Sequence, residues 1–311
     1  VYVDKNSTNP QPPYSSWETA AKNHRDAFAY LGEGMTMIIS DGSYIGKSGT
    51  TYTLPRNSTV RSLNGPGTVM ITNNGNNNGH VFSLANYGAT IEGLDMLSGH
   101  TEGGTFDMTA KATVTNCVIR DISSSWKPFL VSAGTVVDCV FKNCAFGSST
   151  DGLLITATGS AIIDRCRFVN NKKVATTDTI RGVVYVCDGG TVRNSIFLGN
   201  TLPACSAIYV GANGHAENCT VVKNASGVTK GTYGDAAAVY AADATASIVN
   251  VLAVANVDST GFGVINTAAA SGAESCFTTC RAVDSIDDVG VAFADPANGD
   301  YTLKAKSDCV D

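Results

Sequence analysis

A six-residue pattern recurs along this chain at 91–96, 114–119, 136–141, 163–168, 192–197, 216–221 and 248–253, with a decayed copy at 273–278. Its fourth position is an anchor, held by Leu94, Cys117, Cys139, Cys166, Ser195, Cys219, Val251 and Cys276. Successive anchors lie 22 to 32 residues apart while the pattern itself persists. Units that keep their strands and vary their loops are the coils of a solenoid. A helical tandem repeat holds its period more strictly, and a β-sandwich does not reuse one motif this often.

The motif carries its own geometry. Apolar residues stand at the anchor, three before it and two after it. The anchor and the residue two beyond share a face of one strand, because side chains alternate. The gap of three cannot lie within a flat strand, so the chain must turn a corner just before the anchor with both sides pointing inward. The corner residue is Asn116, Asp138, Arg165, Asn194, Asn218 or Asn250. Asn and Asp tolerate the left-handed backbone that such a corner needs, and stacked Asn side chains could bond from coil to coil. A second apolar run precedes each motif, as at 81–84, 129–131, 153–155, 183–186, 207–210, 238–240 and 264–265. A glycine commonly stands between run and motif: Gly88, Gly134, Gly159, Gly189, Gly214 or Gly272. Each coil thus reads strand, Gly turn, strand, corner, strand, loop. The predicted fold is all-β, a single-stranded right-handed parallel β-helix with an N-terminal capping α-helix.

The ends read differently. Ser15-x-x-Glu18 has capping-box spacing, and Trp17, Ala20, Ala21, Ala27, Phe28 and Leu31 make a helical apolar stripe. This predicts a plug on the first coil, with Trp17 and Phe28 buried near Met35 and Ile38, and His24 on the plug's surface. The predicted organisation is an extended segment over 1–14, a capping helix over 15–34, the β-helix over 35–292 and a closing segment over 293–311. Tyr301–Leu303 is a short strand in that last part, with no plug.

Composition bounds the function. Hydrophobic residues make up 43% of the 311, enough for a core along a rod, and charged residues only 15%. The net charge is −6 with no run of four Lys or Arg, which excludes a nucleic-acid groove. No apolar run is long enough to span a bilayer. No leader precedes Val1, which argues neither for nor against export. Four Asn-x-Ser/Thr sites, at Asn6, Asn57, Asn218 and Asn224, read as chance matches in an Asn- and Thr-rich chain. Ten cysteines without a Cys-x-x-Cys pair give no zinc spacing.

The opening Val1-Tyr2-Val3-Asp4, Ser16-Trp17-Glu18-Thr19-Ala20 and Asp41-Gly42-Ser43-Tyr44 join the Asn-Cys repeats and a closing pattern of Asp295-Pro296, Gly299-Asp300-Tyr301, Leu303, Ser307, Cys309 and Asp311. Together they resemble secreted bacterial proteins of the pectate-lyase-like right-handed β-helix superfamily, closest to the "choice-of-anchor" type. The resemblance covers nearly the whole chain. It implies a secreted or cell-surface protein of bacterial origin and contact with polysaccharide; some relatives act on polysaccharides.

The chemistry that such relatives use is hard to assemble from these residues. A calcium-dependent lyase needs clustered carboxylates and a Lys or Arg base. Asp284, Asp287 and Asp288 are the densest acidic group and the candidate Ca²⁺ ligands; no cofactor is otherwise required. Asp138 stacks between Asn116 and Arg165, and one carboxylate is no calcium site. A hydrolase needs two carboxyl groups close together. Asp151, in Thr150-Asp151-Gly152, resembles a fragment of the polygalacturonase pattern, but no Arg-x-Lys follows, and His80, His100 and His215 stand outside any Gly-His-Gly. Asp164, Arg193 and Glu217 hold one outward position on successive coils. They make either an acid–base–acid stripe or a solvent-facing ion ladder. Tyr185, Tyr209 and Tyr240 recur outward as a row that either stacks on sugar rings or packs under a loop. The stacked anchors Cys117, Cys139 and Cys166 are expected to be buried free thiols, and Cys187 with Cys205 is the better disulfide pair.

Two functions remain. One is a non-catalytic surface rod with a structural, adhesive or filament-forming role. In it the strand-like Val1–Asp4, on its Pro-rich linker at 9–13, either pairs within its own chain or joins rods end to end or side by side. The other is a polysaccharide lyase or glycoside hydrolase working in a groove along the rod.

Overall fold

The structure, a computed structural model, describes residues 1–47, 50–72, 81–97, 106–124, 129–146, 152–173, 181–202, 206–226, 238–257, 265–267, 277–278, 280–283, 293–298 and 300–304. Apart from one hairpin with a 3₁₀ turn at Pro296–Asn298 and one short α-helix, its elements are parallel strands stacked coil on coil. The residue three before each anchor sits directly over its counterpart: Val114 pairs between Ile91 and Val136, and Ile163 between Val136 and Val192. The two strands before the corner belong to one large sheet, and the strand carrying the residue two past the anchor belongs to a ten-stranded second sheet. On two coils the glycine turn is only a bend, so that Phe129–Val137 and Gly152–Asp164 run on as single strands.

The described anchors, Leu94 through Val251, point inward in one column and are at most 1% exposed. The predicted corner is real: Asn116, Asp138, Arg165, Asn194, Asn218 and Asn250 all have φ between 49° and 55°. Arg165 lacks the ease of Asn in that region, and two 2.8 Å bonds from its guanidinium to Asp138 on the coil before hold it there. Asn218 donates to Asn194 at 3.3 Å and Asn250 donates to Asn218 at 2.9 Å, forming the coil-to-coil ladder expected of stacked asparagines.

A second corner lies four residues past the anchor, at Asp121, Asn143, Asn170, Gly199, Lys223 and Ala255, again with positive φ. It turns the next residue inward and starts a short third sheet of two-residue strands such as Lys172–Lys173 and Thr201–Leu202. The inward residues are Ile122 and Cys144, then Asn171, Asn200, Asn224 and Asn256, each at most 2% exposed; the four asparagines form a ladder. Each Nδ2 of the first three donates to the Oδ1 of the next, at 2.9, 2.7 and 2.9 Å. The same Nδ2 atoms donate to Phe141, Phe168 and Phe197 carbonyls at 3.0 Å. Each Oδ1 also accepts the main-chain N–H of the residue one coil earlier, as Asn200 does from Asn171 at 3.0 Å. A buried amide is tolerated because its donors and acceptor are all engaged. This ladder also removes Asn224 as a glycan acceptor. Beside it Phe141, Phe168 and Phe197 stack face to face, 5.0 and 4.7 Å between ring centres.

The cap departs from expectation. Its helix spans only His24–Phe28, capped by Asn23, whose side chain accepts from Arg25 N. Ser15 and Glu18 start no helix, because Ala21 is held extended by a bridge to Val3; tertiary pairing overrides the local capping box. Trp17 is 37% exposed and packs at a tilt on Tyr2 instead of Met35, which is itself 41% exposed. Phe28 packs on Tyr52, 5.0 Å between centres. His24 lies inside, not on the surface. Tyr2–Val3 pairs parallel with Ile38–Ile39 of the same chain, so this segment closes its own first coil and is not a strand offered to a neighbour. At the other end Phe293–Asp295 and Asp300–Leu303 form an antiparallel hairpin. Phe293 and Tyr301 pack with Val222, Leu252 and Val254, against the side of the second sheet.

Asn200→Ala leaves several buried donors and acceptors unmatched and is expected to destabilise the rod by about 3 kcal/mol. Asn218→Gly, at the exposed corner where glycine accepts the same φ, is expected to cost well under that. Urea unfolding of both variants followed by circular dichroism measures the contrast.

Candidate functional site

The structure puts Asp164, Arg193 and Glu217 in one outward row, in the register that the repeat predicts. Asp164 is 5% exposed and accepts from Arg165 Nη1 at 3.1 Å, Arg193 Nη2 at 3.2 Å and Asn194 Nδ2 at 2.8 Å. Burial raises its carboxyl, but the hydrogen bonds from Asn194 and Arg193 and the charges of Arg193 and Arg165 outweigh that and hold it below the usual range. A carboxylate so engaged stays ionised and is poorly placed to give or take a proton. With Asp138 beyond Arg165, the residues Asp138, Arg165, Asp164 and Arg193 form an ion ladder across three coils. A second such ladder runs on the next face, where Arg120 Nε lies 3.0 Å from both Asp95 oxygens and Nη1 lies 2.8 Å from Asp121.

Tyr185, Tyr209 and Tyr240 also stand in register. Their ring centres are 5.4 and 5.2 Å apart, the first pair edge to face. Tyr209 is only 7% exposed, and the Arg181 guanidinium lies 4.8 Å from the centre of the Tyr185 ring. Tyr185 leans over Gly211, where a Cβ would come within 3.0 Å of its hydroxyl. Burial, then the neighbouring Cys187 thiol, push the Tyr185 phenol upward. The row is thus a self-packed aromatic seam whose middle ring offers little face to a ligand.

Cys117, Cys139 and Cys166 are buried free thiols, as expected. Burial, then its two neighbours in the column, push the Cys139 thiol up; burial pushes Cys144 and Cys219 up to about 12. Cys187 is also a free thiol, tucked below the Tyr185 seam. Cys205 lies outside the described residues, as do Asp151, Asp284, Asp287 and Asp288, the remaining catalytic and Ca²⁺ candidates. Among the described residues no group of three His, Cys, Asp or Glu side chains could hold a metal, and no helix is long and apolar enough to cross a membrane.

A feature that sequence reasoning missed lies one face along. Lys111, Ala112, Thr113, Gly134, Thr135, Ser160 and Ile162 line a surface cleft of about 390 Å³. It follows the bend between the two limbs of the large sheet. Gly134, at φ 88°, lets the chain pass there, since a Cβ would collide with the main chain of Ala112. Thr113 pairs between Thr90 and Thr135, and Thr90 pairs with Thr59, so the threonines form an outward column leading into the cleft. The signal was present: Thr stands four before the anchor at 90, 113, 135 and 191. It was hidden because the apolar positions alone define the repeat.

Against known proteins, the profile of the family described as right-handed β-helix region matches residues 88–270. The chain belongs to that family. No curated protein matches it. Among solved structures it is similar to a PL6 alginate lyase in complex with a trisaccharide, at 18% identity and TM-score 0.35, over 82% of this chain and 60% of the lyase, less than two thirds of its length. It is similar to the pectin methylesterase of Aspergillus niger, at 12% identity and TM-score 0.45, over 91% of this chain and 83% of the esterase. A third is the mannuronan C-5 epimerase AlgE6 A-module of Azotobacter vinelandii, at 11% identity and TM-score 0.32, over 84% and 93%.

A thiol reagent added to the native chain is expected to leave Cys117, Cys139, Cys144, Cys166 and Cys219 unmodified, and to label all five in denaturant. Mass spectrometry after labelling reads the difference.

Proposed function

We propose that this chain is a secreted or cell-surface rod that holds polysaccharide along its side without reacting with it, in a structural or adhesive role. The observation that carries this reading is the cleft of Lys111, Thr113, Thr135 and Ser160 at the end of the threonine column. Hydroxyls set on successive coils repeat at the strand spacing of about 4.8 Å. A regular row of donors and acceptors matches a ligand that is itself a repeating row of hydroxyls. The single ammonium of Lys111 adds a preference for a glycan bearing carboxylates. The cleft is open and shallow, which suits a chain lying across it. Supporting the non-catalytic half of the reading, Asp95, Asp121, Asp138 and Asp164 are each engaged by a guanidinium, so their charge holds coils together.

Affinity electrophoresis of the intact chain through gels containing neutral and acidic polysaccharides tests the binding. Thr135→Val, which keeps the shape and removes the hydroxyl, is expected to weaken retention by about fivefold, near 1 kcal/mol for one lost hydrogen bond. Lys111→Ala is expected to weaken retention on acidic gels alone. Equal migration of wild type and both variants in every gel would sink the proposal. Release of unsaturated uronides or reducing ends from the same panel would replace it with the lyase or hydrolase reading.

A further inference from the structure

His24 is the most anomalous group in the cap. Its side chain is fully buried, and neither ring nitrogen has a hydrogen-bond partner among the described residues. Tyr44, Tyr52 and Phe82 surround the imidazole, at 6.4, 5.5 and 6.5 Å between ring centres. Neither tyrosine turns its hydroxyl to it. Tyr44 donates to the Ser40 carbonyl at 2.9 Å and accepts from Lys5 N, while Tyr52 accepts from Lys47 N, each at 3.3 Å. The charges nearby do not favour a cation. Arg25 follows on the same helix, and Asp26 is 3.6 Å from Arg25. Across the packing, Asp4 and Asp41 act on Tyr44, and Lys47 lines a surface pocket with Arg25, Asp26 and Tyr52. The cage therefore accepts a neutral ring and resists a charged one.

The cap is also a terminal unit of the rod. A solenoid unit touches only its neighbours. The cap is tied to the first coil by the Tyr2–Val3 strand, through Ile38 N to Val1 O at 2.9 Å and Ser40 N to Val3 O at 2.8 Å, together with the packing of Ala27, Phe28 and Leu31. We propose that His24 makes the N-terminal cap an acid-released latch: its protonation detaches residues 1–31 and bares the strand edge Thr36–Ile39, while the coils beyond stay folded. The sign follows from the ring's environment. Burial, then Arg25, lower the imidazole from its ordinary 6.5 to about 4. A base held neutral by folding contributes its full stabilisation above 6.5 and loses it progressively as pH falls toward 4. Over that interval the ratio of closed to open cap falls by about 100-fold.

Hydrogen exchange on the intact chain, expressed as protection factors at each pH, tests this. Between pH 7 and pH 4 the amides of Ile38 and Ser40 and of the cap are expected to lose protection by about 100-fold. Those of Val118 and Thr220, paired deep in the stack, are expected to hold. His24→Phe and His24→Leu are expected to keep the cap protected throughout. The latch is overturned if the wild-type cap stays protected at pH 4, if the variants lose protection as the wild type does, or if all coils open together. Should neither variant fold, NMR titration of the His24 ring decides. A midpoint near 4 that coincides with the loss of protection supports the latch, and a midpoint near 6.5 with protection retained overturns it.

Discussion

Each coil depends on a backbone that enters the left-handed region twice, once before the anchor and once four residues after it. Turning there is what lets residues three apart both face inward, and without it the strands would stay flat and the core would not close. Only a few residue types occupy that region cheaply. Asn, Asp and Gly fill most of these corners, and where Arg165 or Lys223 stands instead the surrounding stack holds the conformation. The main-chain N–H of each corner points along the rod: Asn194 donates to the Glu217 carbonyl at 3.0 Å and Asn218 to the Val249 carbonyl at 3.0 Å. The corners therefore shape one coil and fasten it to the next.

Stacking then repeats every side chain at the strand spacing, and the same repetition has opposite consequences inside and outside. Inside, it lines up anchors, phenylalanines and the Asn171–Asn256 amides, where each group completes its neighbour's needs. Outside, like would meet like, and charges so close would repel. The chain avoids this by alternating sign, as in Asp138, Arg165, Asp164 and Arg193. Where it places neutral hydroxyls in a column, at Thr59, Thr90, Thr113 and Thr135, no such neutralisation is needed. A rod of this kind thus separates its faces by chemistry, ion-paired ladders on some and a hydroxyl column on another.

The ends are governed by a different balance. A solenoid end exposes apolar side chains and unpaired main chain together, and this chain covers its first coil with a segment that supplies both a short strand and a helix. The burial of His24 in that cover stands against the economy of the rest of the core, whose buried polar groups are bonded almost throughout. The hairpin of Phe293 and Tyr301 uses another solution, lying on the side of the second sheet against Leu252 and Val254.

The sequence by itself determined the coil: a periodic pattern of apolar positions and left-handed residues is a local code, and it fixed the fold, the register, the inward column from Leu94 to Val251 and the alignment of Asp164 with Arg193 and Glu217. It failed where the outcome depends on what a residue meets across space. The Ser15–Glu18 box lost to the pairing of Val3 with Ala21, and the helix that forms instead, His24–Phe28, has His24 on its buried side. The Asn171–Asn256 ladder was readable five residues past each anchor, yet its meaning needed the second corner that turns those amides into the core. Which groups on other coils Asp164 bonds to, and whether the threonines open onto a cleft, are set only by the tertiary structure. Those properties belong to distances and burial between coils, and no spacing along one coil contains them.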